Sequence, residues 1–402
     1  MKKMVQKKTM LKRAGIVLLL LSALTLGACG TRGAGSKNSN QNDVRDEAQN
    51  GKGAASEETE ESSGKKARTE DLASFFEYTL NEEDDTVLLT NYIGEDARVT
   101  VYDSYVIDGK EYKTELMDGI MDGNKTSPFR YKHVITSIAF EGSVKLNNGG
   151  YYFEGLENLE TVDLSGLDTS ECTQLTGMFC YCTSLSEVDL SALNTEKCED
   201  LSGMFGSCES LTEVDLSVID TSHVKSFYQL FRGCENLTAV NLEGVDTSSA
   251  VMFESMFLGC HSLTSLDVSG FDVSSVTNFA TMFSGCEKLE HIDVSNFDTS
   301  NALTFAGMFQ GCKSLTSLQL DGFETSSLVY MEGMFKECER LTELDMSSFT
   351  GSVQYCNEMF KGCTNLTAVY VNQAFYDRVH SEHARHERMF DDCGVSDFTV
   401  KN

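Results

Sequence analysis

The sequence predicts an α/β repeat solenoid, one short strand and one short helix per turn, with a small β-rich cap at its N-terminal end. Three observations predict it. A Met-Phe-x-x-Cys element recurs at a fixed interval, from Met178-Phe179-x-x-Cys182 to Met334-Phe335-x-x-Cys338, with successive cysteines 26 residues apart. Each repeat holds an apolar–acidic alternation such as Val162-Asp163-Leu164, the signature of a strand with one buried face. Each also carries apolar residues at helical spacing, here Cys172, Leu175, Met178, Phe179 and Cys182. One such unit cannot bury its own apolar columns, so neighbours must stack.

The chain opens with Lys2, Lys3, Lys7, Lys8, Lys12 and Arg13, followed by the apolar run AGIVLLLLSALTL and then Leu26-Gly27-Ala28-Cys29. The run is short for a bilayer span and suits a signal-peptide core. The small residues before Cys29 resemble the bacterial lipobox, which implies a signal peptide over 1–28 and a lipidated Cys29. Residues 29–70 are rich in Gly, Ser, Asn and Glu with no aromatic side chain, too polar to fold, and read as a tether. Residues 71–150 are rich in Tyr, Val and Thr broken by Asn, Asp and Gly, which predicts short strands and turns forming the cap. The solenoid is expected over 151–371 and a C-terminal cap repeat over 372–402. The repeat shortens before Cys363 and lengthens before Cys393. Gly233, Gly259, Gly285 and Gly311 fall where helix C-termini want a left-handed residue.

The block Leu263-Thr-Ser-Leu-Asp-Val-Ser-Gly-Phe-Asp-Val-Ser-Ser-Val276, with Met282-Phe283-Ser-Gly-Cys286, resembles the leucine-rich repeat. More narrowly, it resembles the BspA-like bacterial surface proteins, in the subtype first noted in mycoplasma lipoproteins. The resemblance covers about 150–393. Gln319, Thr350 and Leu230 depart from it, standing where Asp, Asp and Met are usual. It implies a non-enzymatic, lipid-anchored protein on the outer face of the cytoplasmic membrane or the cell surface. Its partners would be an extracellular protein or glycan, such as host matrix or mucin.

Composition sets limits. Lys+Arg number 32 against 62 Asp+Glu, a formal charge of −30, and the basic leader holds six of the 32. Such a surface repels nucleic-acid phosphates and anionic lipid headgroups. Hydrophobic content is 41%, enough for a sizeable core. The chain has a single proline, Pro128, so it cannot carry an L-P-x-T-G wall-sorting signal.

Three residue sets offer chemistry. The 14 cysteines fall mostly in a one-per-turn column, where neighbours sit about 4.8 Å apart with parallel side chains. Disulfides want closer Cβ atoms and zinc wants converging ligands, so the column reads as buried thiols. The strand positions Asp163, Glu187, Asp189, Glu213, Asp215, Asp267, His291, Asp293, Glu343 and Asp345 point outward on one face. This face is the candidate binding surface, for a cationic ligand or weakly held calcium, or else a solvated face whose carboxylates bond nearby hydroxyls. Asp168, Asp220, Asp246, Asp272 and Asp298 precede Thr-Ser or Val-Ser pairs and read as turn caps. His380, His383 and His386 would share a face if helical, but no H-E-x-x-H exists, and no cofactor is called for. No nucleophile–base pattern, P-loop or dinucleotide fingerprint occurs. The expected role is adhesion or partner binding. The alternatives are an envelope spacer without a ligand and a calcium-assisted receptor.

Overall fold

A computed structural model of the chain describes residues 72–119 and 127–401. The leader, Cys29 and the tether lie outside the described residues. The chain coils as a succession of turns whose strands stack in parallel, and the coiling begins inside the N-terminal region. There β1 (Phe76–Asn81) pairs antiparallel with β2 (Thr86–Tyr92). The strands β3 (Arg98–Tyr102), β4 (Ser104–Ile107) and β5 (Lys110–Leu116) follow, then β6 (Ser137–Glu141), β7 (Val144–Lys145), β8 (Thr161–Asp163) and β9 (Leu167–Asp168). Two parallel tracks result: β3–β6–β8 on one side, and β2–β5–β7–β9 on another. β4 closes on β5 as an antiparallel hairpin.

The first track continues through the repeats as β10 (Glu213–Asp215) on β11 (Ala239–Asn241), β12 (Ser265–Leu266) on β13 (His291–Ile292), and β14 (Glu343–Met346) on β15 (Ala368–Val371). Alternation decides which side faces in: Val214 is buried between exposed Glu213 and Asp215. A third track is made of single parallel bridges, such as Gln174 to Asp200 to Ser226 and Thr304 to Tyr330 to Tyr355.

The helix expected in each turn is absent: the described residues hold one α-helix, α1 (Gln373–Val379). Two causes act together. Residues four apart take positive φ in turn after turn, as at Gly177 and Tyr181, Ser255 and Gly259, and Thr281 and Gly285. An α-helix cannot hold such residues in its interior. The backbone N–H groups also alternate their partners. Gly177, Phe179 and Tyr181 donate to Ser202, Met204 and Gly206 of the next turn, while Met178, Cys180 and Cys182 donate three residues back. The arc is thus a run of β-turns sewn to its neighbour. Spacing enforces this choice, because an α-helix is roughly 10 Å wide. The phenylalanine rings on this arc stack only 5.3–6.0 Å apart from Phe153 through Phe179, Phe205, Phe231, Phe257, Phe283, Phe309, Phe335 and Phe360 to Phe390. The glycines read as helix C-termini are therefore turn positions, packed so closely that a Cβ on Gly285 would stand 3.4 Å from the Gly259 Cα.

The core is this phenylalanine column with the Met, Leu and Cys columns beside it, nearly all fully buried. Phe129 extends the stack one turn towards the N-terminus, 6.2 Å from Phe153. A row of buried threonines ties the corner: Thr169 Oγ1 donates to the Asn194 carbonyl and Thr247 Oγ1 to that of Asp272, both at 2.9 Å. At the C-terminal end, Asn372 caps α1 by accepting from the Phe375 N–H and donates back to the Ser347 and Phe349 carbonyls, each at 2.8 Å. Phe398 lays its edge on Phe360, Phe375 and Phe390, and β16 (Thr399–Val400) pairs with β15, covering the last turn.

Candidate ligand-binding face

The strand track presents two columns outward. One holds Glu187, Glu213, His291 and Glu343, and the other holds Asp163, Asp189, Asp215, Asp267, Asp293 and Asp345, all but Asp345 strongly exposed. The alternation of the strand leaves them no other direction.

Each aspartate has a structural partner two residues on. The Ser165, Ser191, Ser217, Ser269, Ser295 and Ser347 N–H groups donate to Oδ1 of Asp163, Asp189, Asp215, Asp267, Asp293 and Asp345 at 2.9–3.0 Å. Ser217 Oγ adds a second bond to Asp215 at 2.6 Å. These bonds favour the charged carboxylate and hold Asp163, Asp189, Asp267 and Asp293 below the usual range. The caps explain how a file of like charges is tolerated at strand spacing. The corner aspartates do the same: Asp168, Asp220, Asp246, Asp272 and Asp298 accept from the N–H of the serine two residues later.

The face is not uniform. Glu187, Asp189, Glu213 and Asp215 rim a depression of about 620 Å³, floored by Val162, Val188 and Val214. Asp267, His291 and Asp293 rim a second of about 620 Å³, floored by Leu266, Ile292 and Leu318. Ala239 and Asn241 line one wall of the first, where the acidic file is interrupted. The apolar floors were legible only as buried strand residues; nothing in the sequence marked their edges as reachable from outside. Asp345 stands apart. Partial burial raises its proton affinity, but the Lys401 Nζ at 2.5 Å and the Ser347 bonds outweigh this and lower it. Lys401 also lies over the Tyr370 ring, 4.6 Å from its centre, so the C-terminal strand neutralises this end of the face.

The histidines are arranged differently from a helical face. α1 ends at Val379 and His380 is its C-cap. His380 stacks on Tyr376 at 4.2 Å, faces Asp397 at 3.4 Å and lies 5.9 Å from His386. Among the described residues no three His, Cys, Asp or Glu side chains converge as a metal site. The cysteine columns, from Cys182 to Cys363 with Cys172, Cys198 and Cys356, are buried free thiols.

The sequence profile described as "Mycoplasma protein of unknown function, DUF285" matches residues 147–265, 229–320 and 291–398. The chain belongs to this family. Its repeat is thus the mycoplasma-type, BspA-like leucine-rich repeat that the sequence resembles. No curated protein matches the chain. Among solved structures it is similar to a leucine-rich cell-surface protein of Faecalibacterium prausnitzii, at 17% identity over 85% of this chain and 96% of that one, with a TM-score of 0.44. It is also similar to a leucine-rich-repeat protein of T. pallidum, at 21% identity over 48% and 89%, TM-score 0.33. An internalin of Listeria monocytogenes is similar at 14% identity over 70% and 84%, TM-score 0.25. In this DUF285 chain the strand track and the turn arc are the two sides of one repeat, and among the described residues the acidic file runs along the strand track.

Proposed function

We propose that this DUF285 chain is a non-enzymatic, lipid-anchored surface protein whose strand face holds a protein or glycan partner. The observation that carries this reading is the pair of depressions on the strand face, each with an apolar floor and a carboxylate rim. Apolar contact with a charged rim suits an extended, positively charged segment of a partner. The face is poorly suited to general acid catalysis. Its aspartates are held ionised by their serine caps, whereas a general acid needs its proton near neutral pH. The same caps leave a spacer role as the second reading, since they give every carboxylate of the file a structural task.

The test measures binding of the purified chain to mucins, matrix proteins and co-resident bacterial cells at low and physiological salt. Saturable binding that survives physiological salt supports the proposal. Binding that vanishes with salt is generic attraction to an acidic surface, and none at either salt favours the spacer. The anchor is tested separately: Cys29→Ser should move the chain from the detergent phase to the aqueous phase on Triton X-114 partitioning. A variant that stays in the detergent phase removes the lipid from the proposal.

A further inference from the structure

The flank carrying the third track changes character along the solenoid. In the early turns it is charged, with Lys197 paired to Glu171 at 2.8 Å and Lys225 to Glu199 at 2.6 Å. Between residues 248 and 357 the positions of five successive turns that flank the bridge track lose these Lys–Glu pairs. The apolar ones are Val251, Met252, Leu303, Val329, Tyr330 and Tyr355, with Ser, Thr, Asn, Ala and Gln between them. Val251 is 48% exposed, one of the few large apolar side chains so open to solvent among the described residues. The corner aspartates Asp272 and Asp298 stand exposed along one edge of the patch, and two further carboxylates beside it are half-buried. Glu254 accepts from Asn278 Nδ2 at 2.5 Å, and Glu332 Oε2 is buried with no hydrogen-bond partner. Parallel bridges from Asn278 through Thr304 and Tyr330 to Tyr355 hold the backbone of the patch in one regular file.

On a chain of formal charge −30, a neutral and partly apolar flank is the place where a like-charged body can approach without repulsion. We propose that this flank is a self-association face, taking a second copy of the same chain in a two-fold arrangement that sets the turn of Val251 against the turn of Tyr355. A two-fold interface uses one patch twice, so each copy brings the same neutral surface with its own hydroxyl and amide groups. A neutral sugar fits less well. Sugar rings stack on open aromatic faces, and here Tyr330 and Tyr355 cover each other at 4.9 Å while Arg385 covers the far side of Tyr355 at 5.4 Å. Four inter-turn steps of about 4.8 Å make a patch about 20 Å long. This is the scale of a weak, concentration-dependent contact rather than an obligate dimer.

Sedimentation velocity of the full chain, from about 1 μM to about 1 mM, covers the range in which such a contact shows. The expected result is a monomer–dimer equilibrium that strengthens with added salt, because salt screens the repulsion between the acidic faces. Val251→Glu with Val329→Glu should raise the dimer dissociation constant about tenfold or more. Circular dichroism and melting should stay unchanged. If that pair fails to fold, Thr277→Asp, a substitution at an exposed position in the same patch, serves in its place. A chain that stays monomeric at every concentration and salt overturns the proposal, and so does a dimer indifferent to the substitutions. Capture of neutral dextran by the monomer, abolished by the same substitutions, would assign the flank to a glycan and also overturn it.

Discussion

The Cys208 thiol donates its hydrogen to the carbonyl oxygen of Phe179, 3.2 Å away on the preceding turn. That oxygen already accepts the Cys182 N–H at 3.0 Å, so both its lone pairs are used. The relationship repeats along the column, from Cys182 on Phe153 and Cys234 on Phe205 to Cys338 on Phe309 and Cys363 on Phe335. It explains the residue choice. The position needs a small apolar side chain that can also donate once, and cysteine alone combines the two. Cys208→Val, which keeps the apolar bulk and removes the donor, should cost about 1 kcal/mol in urea unfolding. Cys208→Ala adds a cavity and should cost about 2 kcal/mol. A valine variant as stable as the parent would show that the sulfur bond contributes nothing.

The thiols should differ sharply in reactivity. Burial pushes Cys234 and Cys286 up to about 12, and holds Cys208, Cys260 and Cys312 well above the ordinary thiol value. Cys393, at the last turn, is half-exposed and raised less. Among the described cysteines, Cys393 should therefore label first with a neutral-pH thiol reagent, and the ladder should label only on unfolding. The sign of the pH dependence follows. A thiol whose folded pKa is raised stabilises the fold fully below its unfolded value near 9, and that contribution is lost as pH climbs towards 12. Melting temperature should fall steeply across that alkaline window, and labelling of the ladder should rise with it. Ladder thiols that label at neutral pH as fast as Cys393 would contradict the buried column.

The repeat and its strand were readable in the sequence because a strict period and a two-residue alternation survive any local detail. The arc was not. Cys172, Leu175, Met178 and Phe179 follow helical spacing, yet the same spacing arises when a run of β-turns buries alternate corners. The distinguishing signal was present as a pair of small or polar residues four apart, Gly177 with Tyr181, then Gly203 with Ser207, each at positive φ. One glycine per turn reads as a helix end, whereas two such positions per turn exclude the helix. The acidic columns were legible residue by residue; the serines beside them were read as hydroxyl donors, whereas the structure caps each aspartate through the serine backbone N–H. The neutralisation of Asp345 by Lys401, 56 residues away, was not, because it depends on where the C-terminal strand docks. The uncharged flank left no motif at all, only the repeated absence of charge at matching positions of five turns.

The threonine row has a gap that can be repaired. Thr247 Oγ1 accepts from the Asp272 N–H at 2.7 Å and donates to the Asp272 carbonyl at 2.9 Å. Thr299 makes the same donation to Glu324 at 3.0 Å. Between them the position holds Val273, which is equally buried and cannot bond. Val273→Thr should restore the link to Asp298, with nearly the same shape, and stabilise the chain by about 1 kcal/mol. Denaturant midpoints of parent and variant decide this. A destabilised variant would mean that the corner there is too dry or too displaced for the hydroxyl to reach its partner.

The acidic face separates capping from binding through one pair of substitutions. Asn keeps the side-chain oxygen that Ser269 and Ser295 donate to, but carries no charge; Ala removes both. Asp267→Asn with Asp293→Asn should therefore leave the neutral-pH melting temperature nearly unchanged, while Asp267→Ala with Asp293→Ala lowers it. The pH dependence should split the same way. The serine bonds depress both carboxylates, so their contribution is present above the unfolded aspartate value near 3.8 and is lost as pH falls below it. The parent should lose this contribution on acidification and the Asn variant should not. A cationic partner, measured at physiological salt, should bind the Asn variant about tenfold or more weakly, since two rim charges are gone. Unchanged binding with lowered stability in the Ala variant alone would make the file a set of turn caps and move the search for the partner to another face.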